Sequence, residues 1–440
     1  NVTKKIEGRL LVKLRWWILK TRNTPIIVLV YLLYRVVLDI SYFSWVSPFF
    51  GYDPYSGLFV DMNYLKLAIS YLLVFIVALI IPKGTNKVSS MIMQLHFIVM
   101  IIPLSTIYAL ANHSTSFYLM VLFCFCMQIV VLKYLPLISL FKVKNAKVIL
   151  VSLLSIFTAI TFAYSLKAHG IQLTSFNFSS IYQIREGTKT NVIMDYLITW
   201  QYRIITPFFF LITFIRRKYL LSLIFAFMQV VTFLIYPHKE IIFSLIIIVF
   251  ALFIKRKEFK IDLSWATFLS IGTIATIVIH RVMDIVFPLQ TIVRLLYVPA
   301  VIKFQHYMFF LENQKLYYSE GMVGKVLGIE YPYSQPSGFL VAHPEVNNNT
   351  GYFAYAYDNA GFAGMIIISV CFVCLLVLID SLVKNENKLI ILAFLIYPML
   401  MLNDGDLLTL LLTGGLFILL LILFIFKDID SPVSSRRKAT

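Results

Sequence analysis

Apolar runs long enough to cross a lipid bilayer recur through almost the whole chain, and that repetition excludes most folds at once. About 20 apolar residues cross a hydrocarbon core as a helix, because a helix satisfies its backbone groups from within. Such runs fall near 24–46, 63–81, 91–110, 117–135, 147–166, 193–215, 218–235, 240–254, 264–283, 361–382, 389–403 and 407–426. They are continuous rather than alternating, which argues against a β-barrel. Composition agrees. Hydrophobic residues make up 60% of the 440, and the charged fraction of 13% is about half that of soluble domains. The expected fold is all-α: a polytopic membrane protein of about twelve transmembrane helices.

Charge then orders the connections. The formal net charge of +17 sits mostly between runs, at Lys83/Lys87, Lys142/Lys144/Lys147, Arg216/Arg217/Lys218, 255–260, Lys384/Lys388 and the tail. These clusters alternate with uncharged or mixed connections, and the positive-inside rule makes the basic set cytoplasmic. Residues 1–23 read as a basic amphipathic segment, with Leu10, Leu14, Trp17 and Ile18 on one face and Arg9, Lys13 and Lys20 on another. The expected organisation is that cytoplasmic segment, one transmembrane domain over 24–426, and a basic cytoplasmic tail over 427–440. Two large extracytoplasmic loops, 167–191 and 288–360, fall on the other side. The first span is expected to act as the targeting signal. Membrane lipids, not nucleic acid, are the partners this charge implies, since no basic domain lies outside the bilayer. Cys124, Cys126, Cys371 and Cys374 all lie inside runs and read as small apolar residues. No phosphate-binding glycine loop is present, and neither a metal nor a cofactor is expected.

Polar chemistry concentrates on the outward connections. Arg185 lies in the first large loop, and Arg203 lies nearly three turns into the following span. An arginine at that depth either pairs with a helical carboxylate or grips an anion through its planar guanidinium. Lys239 opens a helix after the turn Tyr236-Pro237-His238. Arg281 ends the ninth run, and Arg294 follows Pro288. Arg294, Tyr297, Lys303 and His306 are expected to share one helical stretch along the membrane surface. His306 is a candidate proton acceptor for a hydroxyl. Recurrent cations without a matching carboxylate set point to metal-free stabilisation of a phosphate or pyrophosphate.

Four places resemble the bacterial O-antigen and capsule repeat-unit polymerases of the Wzy type. They are Ile181-Tyr182-Gln183-Ile184-Arg185, the turn Tyr236–Glu240 before an aliphatic helix, Arg294, and Gly351-Tyr352-Phe353-Ala354-Tyr355-Ala356-Tyr357-Asp358-Asn359-Ala360-Gly361. The order and topology are similar from about residue 60 onward. The resemblance implies a GT-C-like glycosyltransferase of the bacterial cytoplasmic (inner) membrane, with both termini inside and the active site facing outward. It would move a growing undecaprenyl-pyrophosphate-linked glycan onto the next lipid-linked repeat unit. It also implies contact with a chain-length regulator. Arg294 and Arg185 would hold the departing pyrophosphate, with Arg203, Lys239, Arg281, Lys303, His343 and Tyr355 contributing to substrate binding. Ala354 stands where many relatives carry an acidic residue, which leaves Asp358, Glu345 and His306 as candidates for the base.

Three alternatives compete with this reading. A ligase moving finished glycan onto lipid A core would share much of this pattern. A flippase or other transporter would show internal symmetry and short loops on both faces, and neither is visible here. A membrane acyltransferase would instead place His306 or His343 at its centre.

Overall fold

The structure, a computed structural model, describes residues 24–53, 55–84, 87–139, 146–171, 192–254, 261–341, 347–383 and 388–426. Arg185, Glu345 and His343 lie outside these residues, as do the terminal segments. The described residues are helical, without a β-strand. In order they form α1 (Thr24–Phe50), α2 (Tyr64–Ile80), α3 (Val88–Leu110), α4 (Thr115–Tyr134), α5 (Ala146–His169) and α6 (Val192–Ile215). Then come α7 (Tyr219–Ile235), α8 (Lys239–Ile254), α9 (Ile261–Met283) and α10 over 287–312. Two short helices, α11 (Met322–Leu327) and α12 (Ser337–Val341), precede α13 (Tyr352–Leu382). The chain ends in α14 (Lys388–Met401), α15 (Leu407–Leu411) and α16 (Leu416–Ile425). Seven of the described helices are long and apolar enough to cross a membrane, which makes this a helical membrane protein.

Helix α3 is the axis. Its residues are apolar around nearly the full circumference, and such a helix must be enclosed. In its most apolar window 94% of residues are buried, against α1, α2, α4, α10, α13 and α14. Several of its polar side chains reach partners on neighbouring segments. Gln94 donates to Pro82 O at 2.8 Å, His96 Nε2 meets Met399 O at 3.0 Å, and Ser89 donates to Asp380. Helix α5 is the opposite case: Ile149, Leu153, Ile156 and Ile160 are exposed, as expected of a lipid-facing stripe.

Four helices share one irregularity. Tyr42–Val46, Phe97–Ile101, Gln201–Ile205 and Val293–Tyr297 are wide π-turns, and each runs into a segment with proline at its first or second position. Proline has no N–H, and its ring crowds the carbonyl four residues back. For Pro48, Pro103, Pro207 and Pro299 that carbonyl belongs to Ser44, Val99, Arg203 and Leu295, each inside a π-turn. The wider turn relieves the crowding without breaking the helix.

The stretch read as the second large loop is half helix. Residues 287–312 form α10 because the run from Leu289 to Phe310 has a buried side: Leu289, Val293, Leu296, Tyr297, Ala300, Phe304, Tyr307 and Phe310 all pack inward. Among the described residues of this stretch only 313–321, 328–336 and 347–351 lie outside helices. At the other end of this stretch, α13 starts at Tyr352, well before the expected 361, and is broken at Ala360–Gly361. Gly361 takes φ 61°, ψ −150°, a backbone region closed to side chains with a Cβ. The last run, 407–426, is likewise two pieces, separated at Gly414–Gly415.

Candidate active site

The break in α13 leaves the last turn of its first segment facing α10. There His306 Nδ1 lies 2.7 Å from Asp358 Oδ2, across 52 residues of sequence, and both side chains are buried. With Asp358 ionised and the imidazole neutral, Nδ1 donates to the carboxylate and Nε2 presents a lone pair. His306 Nε2 and Asp358 Oδ1 are both buried without a hydrogen-bond partner. Leaving two such atoms unmade costs on the order of 1–3 kcal/mol each.

A strap covers the pair. Leu316 N donates to Asp358 O at 2.9 Å, Tyr317 N to Asn359 O at 3.3 Å, and Tyr318 N to the Asn359 side chain. Tyr317 and Tyr318 both hold left-handed backbone, φ 50° and 62°, which costs an L-residue roughly 1–3 kcal/mol. Just before them Lys315 turns inward. Its Nζ donates to Phe310 O at 2.6 Å and lies 3.6 Å from the centre of the Tyr357 ring. Burial pulls the Lys315 ammonium below its ordinary value, and the neighbouring Asp358 charge opposes that shift. Two of its three donors are left over.

The other candidates separate from this centre. Arg294 is exposed on the π-turn of α10 and makes no polar contact among the described residues. Twelve residues of helix, about 18 Å at ~1.5 Å each, part it from His306. The four residues expected to share one helical stretch all lie on α10, but they do not line a surface, because Tyr297 and His306 are buried and Lys303 is fully buried. Its Nζ donates to Pro299 O at 3.0 Å, Asn403 O at 2.6 Å and Asn403 Oδ1 at 2.8 Å, which uses all three donors inside the protein. Arg203 takes the helical carboxylate as its partner: Nη2 is 3.0 Å from Glu240 Oε1, which also accepts from Tyr202 Oη at 2.7 Å. Arg281 is exposed and lies 5.9 Å from the Trp45 ring centre, tying α9 to α1. Lys239 begins α8, next to the Glu240 of that ion pair. Tyr355 is half-buried and meets Tyr318 of the strap edge-on at 6.2 Å.

Two of the predicted residues, His306 and Asp358, are therefore brought together, and Arg203, Arg281 and Arg294 stand apart from them, while Arg185 lies outside the described residues. Lys315 was missed as a site residue because a single lysine in a polar stretch carries no pattern. Among the described residues no group of His, Cys, Asp and Glu is arranged to hold a metal ion. The fold and site thus define a helical membrane protein with a buried histidine–carboxylate pair beside an inward-turned lysine. No family model, no curated protein and no solved structure matches the chain.

Proposed function

We propose that this protein joins lipid-linked oligosaccharide repeat units by metal-independent glycosyl transfer, as the resemblance to the Wzy-type polymerases implies. The observation carrying the reading is the buried His306–Asp358 pair with its free Nε2. Asp358 would fix the imidazole tautomer and orientation, and Nε2 would accept the proton of an attacking sugar hydroxyl once the strap lifts. Lys315 is the cation next to the pair and would stabilise the pyrophosphate as charge accumulates on it. Arg294 suits the pyrophosphate of the acceptor lipid, because the attacking hydroxyl sits at the far end of that lipid's glycan. In this reading the chain crosses the bacterial inner membrane about twelve times in a GT-C-like arrangement, with the pair on the outer side and a chain-length regulator alongside.

The test is polymer length on gels at matched expression. His306→Ala should reduce elongation by about 10²–10⁴-fold, the usual worth of a general base. Lys315→Ala should cost about 10²–10³-fold, as for a lost oxyanion donor. Asp358→Asn should fall between wild type and His306→Ala. Normal ladders from both His306→Ala and Lys315→Ala would refute the assignment.

A further inference from the structure

Beyond the strap, the irregular segment folds into an open groove lined by Ser319, Glu320, Lys325, Tyr331, Tyr333 and Gln335. It holds about 420 Å³, within the ~300–1,000 Å³ of small-molecule sites. Tyr331 and Tyr333 meet at 5.9 Å and 66°. Their hydroxyls are already committed to backbone, Tyr331 to Gln335 O at 2.8 Å and Tyr333 to Gln314 O at 2.6 Å. The ring orientations are therefore set before any ligand arrives, which lowers the entropy cost of binding. Glu320 is likewise fixed, accepting from Ser337 N at 2.9 Å and Ser337 Oγ at 2.6 Å. Each of its oxygens keeps a further acceptor position. Lys325 is exposed, and its ammonium has no partner among the described residues.

Preset aromatic rings, a fixed carboxylate and a free ammonium complement a ring that is apolar on its C–H face and hydroxylated at its edge. An acyl chain would leave Glu320 and Lys325 desolvated without compensation. A phosphate would meet the Glu320 charge. The groove also leads toward the histidine. Tyr333 packs on Phe309 and Phe310 of α10 at 6.0 and 6.2 Å, and Phe310 lies 6.2 Å from the His306 ring.

We propose that this groove is a saccharide-binding subsite, holding neutral sugar rings of the lipid-linked glycan that leads to His306. The proposal rests on the glycosyl-transfer reading for the identity of the glycan but is testable apart from it. The full chain in nanodiscs is titrated with the lipid-free oligosaccharide that mild acid releases from the surface polysaccharide of the source bacterium. Binding is followed by saturation-transfer NMR and calorimetry. Tyr331→Ala and Tyr333→Ala should each weaken it about tenfold, the usual worth of an aromatic contact, while the Phe variants keep most of the affinity. Lys325→Trp fills the groove from an exposed position, so it leaves the core untouched and should abolish binding even if the alanine variants unfold. Absence of binding, or binding retained by Lys325→Trp, overturns the subsite. Purified protein that elongates lipid-linked units without binding the free glycan would overturn the groove alone. Tyrosine-dependent binding by protein that cannot elongate would instead uphold the groove and refute the polymerase reading.

Discussion

Two histidines with opposite surroundings, one buried and one half-buried, set the terms at the scale of single residues. His306 faces a carboxylate, which orients its ring. His113, in the turn between α3 and α4, lies flat on Phe304, with ring centres 4.6 Å apart and planes 4° from parallel. Its Nε2 is buried without a partner. Burial and the neighbouring Lys66 push its pKa down from 6.5 to about 4. Between those values the folded chain binds fewer protons than the unfolded one, so stability is lost as pH falls from 6.5 through 4. Thermal unfolding at pH 7.5 and 4.5 should show a drop that His113→Phe reduces, since phenylalanine keeps the stack and cannot titrate. Equal drops in both proteins would show that His113 is not responsible. His306 and Asp358 were legible in the sequence as chemistry-bearing residues in an oily chain. Their pairing was not, because it depends on α10 and α13 packing together and on the left-handed turn at Gly361.

Prolines explain more of the element scale than hydropathy does. The runs of apolar residues located most helices to within a few residues, α13 and the divided last run apart, since burial in hydrocarbon or protein demands the same composition. Hydropathy gave no run over α10, whose lysine, histidine and glutamine left 287–312 inside the expected second loop as a surface helix. What admits them is a shared hub. Asn403 Nδ2 contacts Leu295 O at 3.2 Å and Val99 O at 3.5 Å, the two carbonyls that Pro299 and Pro103 deprive of helical partners. Its two oxygens take the Lys303 ammonium. One side chain thus satisfies two π-turns and a buried charge, joining α3, α10 and the end of α14. Asn403→Leu should cost about 3–5 kcal/mol, since it strips a buried charge of an acceptor and leaves two carbonyls bare. Adding Lys303→Met should restore part of that loss, because the charge goes with the acceptor. Unfolding midpoints in detergent measure both; a double variant no more stable than Asn403→Leu would show that the carbonyls, not the lysine, dominate.

For the molecule as a whole, the question is which side of the membrane the pair and the groove occupy. The structure fixes that His306, Asp358, Lys315 and the groove share one end of the helical bundle, since the segment 313–341 packs on the kink of α13 and the last turns of α10. It carries no membrane, so the side follows from charge. Connections rich in lysine and arginine stay cytoplasmic because moving those charges across the bilayer is costly. The basic set at 255–260 comes directly after α8, and the stretch with Glu320 follows α9 and α10, of which α9 alone is long and apolar enough to count as a membrane-crossing helix. A reporter fused after Lys257 should therefore read as cytoplasmic, and one fused after Glu320 as extracytoplasmic. The second fusion is the decisive one. A lipid-linked glycan exported to the outer leaflet reaches His306 only from that side, so a cytoplasmic signal there would remove the substrate from the site and the proposed chemistry with it.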